Sequence, residues 1–283
     1  MGSEPLTCRI YPHANSDQET AMDTIRQADR TTGRRGYIVM TYARSGGTWF
    51  AQLLGSTGAL GRPEDWFNGQ GYRDRGVTDY PLDRAGQRAM MLSRGMTENG
   101  VFGVKVSPQR LDELWPSRWA EDFPERRFIH LVRRDRLARA LSDVKAQQTR
   151  QFRAGSAAHG EPHYSATMIR DTILAQAVNE ARVQQYFALN DIAPLEIAYE
   201  DLLADVPAVL ARVAAFLGVS GNIQPDTGKV DLTIQRDATN ADWRTRFLAE
   251  QDTIDRMPAL VIGRWERLID RLRDMASDRD KTS

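Results

Sequence analysis

A short apolar strand that runs directly into a glycine turn and then a helix limits the folds open to this chain more than any other feature. Residues 37–41 read Tyr-Ile-Val-Met-Thr, which predicts a buried strand. The turn at 42–48 contains two adjacent glycines, and a helical pattern follows at 49–54, with its end expected near Gly55 or Gly58. A strand, a glycine turn and a helix in this order are typical of the first unit of a nucleotide-binding α/β fold.

Strand and helix patterns alternate along the rest of the chain. This alternation favours a mostly parallel sheet covered by helices on both faces. The further predicted strands lie at 101–106, 128–132 and 195–198, and the further predicted helices lie at 137–148, 166–189, 206–217 and 260–275.

The turn Arg44-Ser45-Gly46-Gly47-Thr48 has the composition of an anion site. Glycines allow the backbone to approach a ligand closely, and the N–H groups at the start of a helix attract negative charge. Arg44 adds a positive charge, and Ser45 and Thr48 add hydroxyl groups. The turn is not a Walker A loop, because that pattern requires lysine where Gly47 stands. The alternative is a plain strand–helix turn with a surface arginine.

A second basic cluster follows the strand predicted at 128–132. Arg133 would lie at the carboxyl end of this strand, where parallel sheets bind their ligands. Ser142 follows about two turns along the next helix, and an arginine with a serine suits a second phosphate. The alternative is a solvated, charged helix.

Three segments that contain these motifs, 37–67, 128–153 and 235–247, resemble the bacterial trehalose-sulfotransferase family. The first segment is similar to the family's 5′-phosphosulfate loop and the acidic stretch after it, and the second is similar to its 3′-phosphate segment. The segments stand in the family's order along the chain. Gly47 stands where the family commonly has serine, and Asp65 stands where the family has glutamate.

The resemblance implies a P-loop NTPase-like three-layer α/β sandwich with a central, mostly parallel sheet flanked by helices. It implies one sulfotransferase domain at 36–283 after an N-terminal extension at 1–35. The implied reaction is direct in-line transfer of a sulfuryl group from 3′-phosphoadenosine 5′-phosphosulfate (PAPS) to a hydroxyl of a small carbohydrate or glycosylated acceptor, with no metal. The implied donor-binding residues are Arg44, Ser45, Gly46, Gly47, Thr48, Trp49, Arg133, Ser142 and Arg236.

The resemblance also implies catalytic roles. The family's acidic residue falls on Asp65, which we expect to take the acceptor proton, with the adjacent Glu64 as the alternative base. We expect Arg44 to stabilise charge on the leaving phosphate. Lys105 is a lone charge in an apolar strand, and it either assists Arg44 at the leaving phosphate or extends out of the sheet. His130 interrupts another strand, and we expect it to be a core residue rather than the base.

Composition limits the partners of the chain. Its 38 basic residues equal its 38 acidic residues in number, so no net charge attracts the whole protein to nucleic acid or a membrane. One cysteine excludes an intramolecular disulfide, and the sequence shows no signal peptide and no membrane-spanning run, so we expect a cytoplasmic protein. His159 and His163 lack the further ligands of a metal site. The resemblance suggests a homodimer.

Two other functions remain compatible with these motifs. An ATP-dependent phosphotransferase could use a similar loop, although the missing Walker lysine argues against it. A catalytically inactive binding protein could keep the same fold. Residues 68–100 and 153–165 are expected to shape the acceptor pocket, but their sequence does not identify the acceptor.

Overall fold

Four parallel strands form a single sheet in the described part of the chain. A computed structural model describes residues 34–114, 119–152, 159–230 and 238–251. The strands are β1 (Arg35–Met40), β2 (Val101–Val106), β3 (Arg127–Val132) and β4 (Leu195–Ala198). Their order is β2-β1-β3-β4, and every neighbouring pair is parallel. The central parallel sheet predicted from the sequence is therefore confirmed.

Helices connect the strands and cover the sheet. Within the described residues they are α1 (Gly47–Ser56), α2 (Gly69–Arg73), α3 (Arg84–Arg94), α4 (Pro108–Leu114), α5 (Arg136–Thr149), α6 (Ala166–Leu189), α7 (Tyr199–Ala204), α8 (Val206–Leu217) and α9 (Ala238–Ala249). Their ends follow from local chemistry, because Asp135 and Asp205 accept backbone N–H bonds at the starts of α5 and α8. Gly218 ends α8 in the left-handed conformation, as predicted.

Each strand buries side chains on both faces of the sheet. In β1, Tyr37 and Val39 pack with α1 and α8, whereas Ile38 and Met40 pack on the opposite face with residues of α3 and α6. All four side chains are at most 1% exposed. Burial on both faces explains why the strands read as continuous apolar runs rather than as alternating ones. The three-layer α/β architecture is confirmed.

The carboxyl ends of the strands form one edge of the sheet. In sheet order, the segments that leave this edge are 107–110 after β2, 41–46 after β1, 133–135 after β3 and 199–200 after β4. The segment before β2 also reaches this region, since Glu64 makes an isolated parallel bridge to Val104. Ligands bind at this edge in open parallel sheets, so the fold places the predicted anion motifs together.

Some predicted features lie outside the described residues. These are Arg236, the helix at 260–275 and most of the extension predicted at 1–35. The division of the chain at residue 36 stays a prediction, and β1 begins at Arg35. No helix in the described ranges combines the length and the hydropathy needed to cross a membrane.

Candidate active site

A cleft of about 900 Å³ opens at the carboxyl edge of the sheet. All four strand ends contribute to its wall, through Lys105 of β2, the turn after β1, Arg133 after β3 and Tyr199 after β4. Its volume lies in the upper part of the range typical of small-molecule sites, roughly 300–1,000 Å³. The two anion motifs predicted from the sequence therefore belong to one site.

Ser45 shapes the turn after β1 instead of lining the cleft. Its side chain is fully buried, and its Oγ donates to the carbonyl of Tyr42 at 2.8 Å. The same Oγ lies 2.7 Å from Oγ1 of Thr41 and accepts from the Tyr42 amide at 3.3 Å. The sequence analysis assigned this hydroxyl to the ligand, and that role stays a prediction. The turn's own polar groups use the hydroxyl, because the side chain points into the turn.

The two glycines leave room for side chains to pack against the start of α1. Gly46 caps α1 with φ +84° and without a side-chain cap bond, and a Cβ there would lie 2.5 Å from the Tyr199 ring. A Cβ on Gly47 would lie 2.7 Å from Oγ1 of Thr41 and 3.3 Å from Cδ of Lys105. A serine at position 47 would therefore require the side chain of Thr41 to shift. Gly46, Gly47 and Thr48, at the start of α1, line the cleft, and the first N–H groups of a helix have no partner within it.

Arg44 joins two motifs that lie 98 residues apart. Its backbone has φ +60°, which is uncommon for a residue with a side chain. Its Nε donates to Oγ of Ser142 on α5 at 2.8 Å, and its carbonyl accepts from Nη1 of Arg133 at 3.1 Å. The sequence analysis placed Arg44 at the 5′-phosphosulfate and the other two residues at the 3′-phosphate. The structure brings all three into one basic cluster.

Arg133 and Tyr199 form the wall of the cleft beside this cluster. The Arg133 guanidinium lies 5.0 Å from the centre of the Tyr199 ring. Its Nε is buried and has no hydrogen-bond partner among the described residues. A buried donor without an acceptor is costly, so the position of this side chain is fixed by its other contacts, which are the Arg44 carbonyl and the Tyr199 ring. Tyr199 also contacts the edge of Trp49, with ring centres 6.1 Å apart.

The sequence analysis did not identify Tyr199 as a site residue. Its position in the sequence could have identified it, because Tyr199 directly follows the strand predicted at 195–198 and so lies at the ligand-binding edge of the sheet.

Asp65 and Lys105 form an ion pair in the wall of the cleft. Nζ of Lys105 lies 2.5 Å from Oδ1 of Asp65, and the side chains are 10% and 25% exposed. The backbone brings the two residues together, because Glu64, the neighbour of Asp65, bridges to Val104, and its carbonyl accepts from the Lys105 amide at 2.9 Å. Lys105 therefore points into the site rather than out of the sheet.

Glu64 lies next to Asp65 but points elsewhere. Its Oε2 accepts a hydrogen bond from the Tyr72 hydroxyl at 2.5 Å. Burial and the neighbouring Glu64 carboxylate raise the pKa of the Tyr72 hydroxyl well above its usual value. Glu64 lines a second cavity of about 440 Å³, whereas Asp65 and Lys105 line both cavities. Of the two candidate bases, Asp65 is the one in the wall of the large cleft.

His130 contacts the turn after β1 through the side chain of Tyr42. It is 2% exposed, and its Nε2 lies 2.9 Å from the hydroxyl of Tyr42. Burial lowers the pKa of His130 to about 4, so the imidazole is neutral at pH 7. Arg139 lies 4.6 Å from the centre of the Tyr42 ring and donates to the Ala43 carbonyl at 3.1 Å. His130 is a core residue, as expected from the sequence.

The far wall of the cleft comes from α9. Arg244 donates to both carboxylate oxygens of Asp135 at 3.0 Å, and both residues line the cleft. Trp243, next to Arg244 on α9, packs in the core with Phe247. Arg236, which the resemblance implies as a donor-binding residue, lies outside the described residues. No group of three or more potential metal ligands occurs in the described ranges, and His159 and His163 lie exposed there.

The wall of the cleft is basic although the chain is neutral overall. Three carboxylates stand against six basic side chains among the described residues that line it. The basic residues are Arg44, Arg75, Lys105, Arg110, Arg133 and Arg244, and the acidic ones are Asp65, Asp135 and Glu200. Such a site suits a ligand with several negative charges.

Comparisons with known proteins cover the part of the chain that contains these residues. The family described as Stf0 sulphotransferase matches residues 36–250, which include every cleft segment described above. A trehalose 2-sulfotransferase of Mycobacterium tuberculosis is 26% identical over 262 residues, which is 76% of this chain and 95% of the relative. A second one, from Mycolicibacterium smegmatis, is 23% identical over 256 residues, 75% of this chain and 93% of the relative. The solved sulfotransferase domain from the curacin biosynthetic pathway has a TM-score of 0.40 and 14% identity, covering 76% of this chain and 98% of that domain.

Proposed function

This chain belongs to the Stf0 sulphotransferase family, and we propose that it transfers a sulfuryl group from PAPS to a hydroxyl of a small carbohydrate or glycosylated acceptor. Family membership makes the chain an enzyme of the transferase class. One cleft contains an anion site at the start of α1, the cluster of Arg44, Ser142 and Arg133, and the Asp65–Lys105 pair. This combination is the main support for PAPS as the donor and a hydroxyl as the acceptor.

The donor half of the cleft fits a molecule with two separate anionic groups. The N–H groups at the start of α1 would hold the 5′-phosphosulfate, since a helix start attracts anions. Arg133 and Ser142 would hold the 3′-phosphate, since both line the cleft and a guanidinium with a hydroxyl suits a phosphate. Arg44 contacts Ser142 directly, so it would contribute to both groups. A bound 3′-phosphate would separate PAPS from ordinary nucleotides.

PAPS supplies an activated sulfuryl group, so the bond from sulfur to the 5′-phosphate oxygen breaks while the bond to the acceptor oxygen forms. Asp65 would take the proton from the acceptor hydroxyl. This transfer neutralises the partner of Lys105, whose ammonium lies 2.5 Å away. Lys105 could then stabilise the charge that develops on the leaving phosphate, together with the N–H groups of α1. Positioning and charge stabilisation would supply most of the catalysis, as in phosphoryl transfer.

A sugar acceptor is supported by two observations. The relatives named trehalose 2-sulfotransferase are similar over about three quarters of this chain. In addition, the β2 end of the cleft contains the neutral polar residues Asn68, Ser107 and Gln109, which suit the hydroxyl groups of a sugar. Trehalose is therefore the first acceptor to test.

Ligand binding and product formation test the proposal together. Thermal unfolding would be measured with 3′,5′-ADP, 5′-AMP and ATP, and we expect 3′,5′-ADP to stabilise the protein most. Mass spectrometry would then follow sulfate transfer from PAPS to trehalose and other sugars. Preferential binding of ATP with phosphoryl transfer would favour the phosphotransferase alternative, and binding of 3′,5′-ADP without transfer from PAPS to any hydroxyl would favour an inactive protein.

A further inference from the structure

We infer that Arg139 is a positioning residue for the donor site, which holds Arg44 in the backbone conformation that places its guanidinium beside Ser142. The inference rests on the proposed function, because Arg44 is one of the proposed donor contacts. Arg139 itself does not line the cleft and is only 2% exposed, so it can affect a bound donor only through other residues.

The turn after β1 keeps Arg44 in an unusual conformation. The Ser45 amide donates to the Tyr42 carbonyl at 3.3 Å, which closes a turn with Arg44 at its third position. The φ of Arg44 is +60°, as in a type II turn, where glycine or asparagine is usual at this position. In a type I turn the same φ is about −90°, which suits a residue with a side chain better. The surroundings of the turn must therefore favour the rarer form.

The central peptide group of the turn decides between the two forms. Type I and type II turns differ by a flip of this group, which here joins Ala43 to Arg44. Nε of Arg139 donates to the Ala43 carbonyl at 3.1 Å, and a flip would turn this carbonyl away from it. The following carbonyl, that of Arg44, accepts from Nη1 of Arg133 at 3.1 Å. With the peptide groups on both sides of Arg44 held, its φ and ψ are fixed.

Arg139 is itself held firmly by its neighbours. Its Nη1 lies 2.8 Å from Oε1 of Glu180 on α6, and both side chains are largely buried. Its guanidinium carbon lies 4.6 Å from the centre of the Tyr42 ring, whose hydroxyl lies 2.9 Å from Nε2 of His130. A planar guanidinium can donate to a carboxylate and to a carbonyl through different nitrogens while its face packs on a ring. These neighbours fix the Nε of Arg139 independently of a bound donor.

The backbone of Arg44 determines where its side chain lies. Its Nε donates to Oγ of Ser142 at 2.8 Å, and both residues line the cleft. A change of φ to about −90° would redirect the side chain and carry the guanidinium away from Ser142. Without Arg139 we expect the flipped form to be preferred roughly ten-fold, so the affinity for a donor should fall by about the same factor.

Two substitutions of Arg139 separate its hydrogen bond from its charge. Glutamine can place an N–H group where Nε of arginine lies, whereas methionine has the same length without a donor. In isothermal titrations with 3′,5′-ADP, Arg139→Met should bind about ten-fold more weakly, and Arg139→Gln should change the affinity less than about three-fold. Arg136→Gln is the matched control and should leave the affinity unchanged, because Arg136 also pairs with Glu180 but is exposed and does not line the cleft.

A crystal structure and a double variant show whether Arg139 acts through Arg44. The crystal structure of Arg139→Met should have a negative φ at Arg44, with Nε of Arg44 out of hydrogen-bond distance of Ser142. In an Arg44→Ala background, Arg139→Met should weaken 3′,5′-ADP less than about two-fold, because the guanidinium that it positions is absent.

Three outcomes would each overturn the inference: an unchanged φ of Arg44 in Arg139→Met, a loss in Arg139→Gln as large as in Arg139→Met, or equal losses with and without the Arg44 side chain. If Arg139→Met does not fold, Arg139→Gln decides alone, since near-normal affinity supports the inference and a ten-fold loss overturns it. Failure of the unaltered enzyme to bind 3′,5′-ADP would overturn the proposed function. The φ of Arg44 in the Arg139→Met structure would still decide whether Arg139 holds the turn.

Discussion

Replacing Asp65 with asparagine would remove the proposed base with the smallest change in shape. Asparagine keeps an oxygen that can lie near Nζ of Lys105, now 2.5 Å from Oδ1, but it cannot accept the acceptor proton. General-base catalysis contributes roughly 10²–10⁴-fold. Turnover of Asp65→Asn should fall by about that factor, which corresponds to about 2.7–5.5 kcal/mol of activation free energy.

Binding of 3′,5′-ADP should respond differently from turnover. The substitution removes the negative partner of a lysine that is only 10% exposed, so Lys105 becomes more available to the leaving phosphate. We therefore expect the affinity for 3′,5′-ADP to stay unchanged or to rise slightly. The assay is single-turnover transfer from PAPS to the best acceptor, with 3′,5′-ADP affinity measured by titration on the same preparation.

Glu64→Gln is the matched control for this experiment. Glu64 is the adjacent carboxylate, but it accepts from the Tyr72 hydroxyl and lines the smaller cavity. Its substitution should change turnover only mildly. A near-normal rate in Asp65→Asn with a collapsed rate in Glu64→Gln would move the base to Glu64. Near-normal rates in both variants would refute a carboxylate base altogether.

Three further predictions concern donor binding, the turn and stability. Arg133→Ala should weaken 3′,5′-ADP about ten-fold or more while barely affecting 5′-AMP, because a charge-assisted hydrogen bond contributes about 1.5–3 kcal/mol; equal losses in titrations of the two nucleotides would contradict this. Gly46→Ala should lower the midpoint of thermal unfolding more than Gly58→Ala does. Both glycines have positive φ, but only a Cβ at position 46 would lie close to Tyr199, at 2.5 Å. Equal shifts in the two variants would argue against this packing. The free energy of unfolding should fall by up to about 3 kcal/mol as the pH drops from about 6.5 to 4. Over this range the unfolded chain takes up a proton on His130, whereas the folded chain does not, because burial lowers the pKa of His130 to about 4. Denaturant titrations across this range should show the dependence weakened in His130→Phe, and an identical dependence in the variant would contradict the assignment.

Most of the fold could be predicted because the strands are buried on both faces. The pattern at 101–106 and 195–198 gave the exact bounds of β2 and β4, and the helix at 206–217 ends at Gly218 as predicted. These elements have continuous apolar runs or capping residues, which are local signals. The turn after β1 and the basic residue after β3 were also recognisable from local composition.

The connections within the site could not be predicted, because they depend on strand order. Arg44 reaches Ser142 because β1 and β3 are neighbours in the sheet, and a pattern along the chain does not contain that information. Asp65 meets Lys105 through a bridge of a single residue beside β2, which is too short to produce a strand pattern. The direction of the Ser45 hydroxyl depends on the backbone of one turn, and composition alone could not decide it.

The position of β2 at the end of the strand order has an evolutionary consequence. On the proposed assignment, the residues that hold the two anionic groups of the donor follow the neighbouring strands β1 and β3, and the acceptor wall belongs to β2 and the segment before it. The Lys105–Asp65 pair marks the boundary between the two halves. Residues 66–100 and 107–114 could therefore diverge among paralogues, changing which molecule is sulfated while PAPS is still used. The same two stretches form a natural unit to exchange between enzymes when a new acceptor is sought.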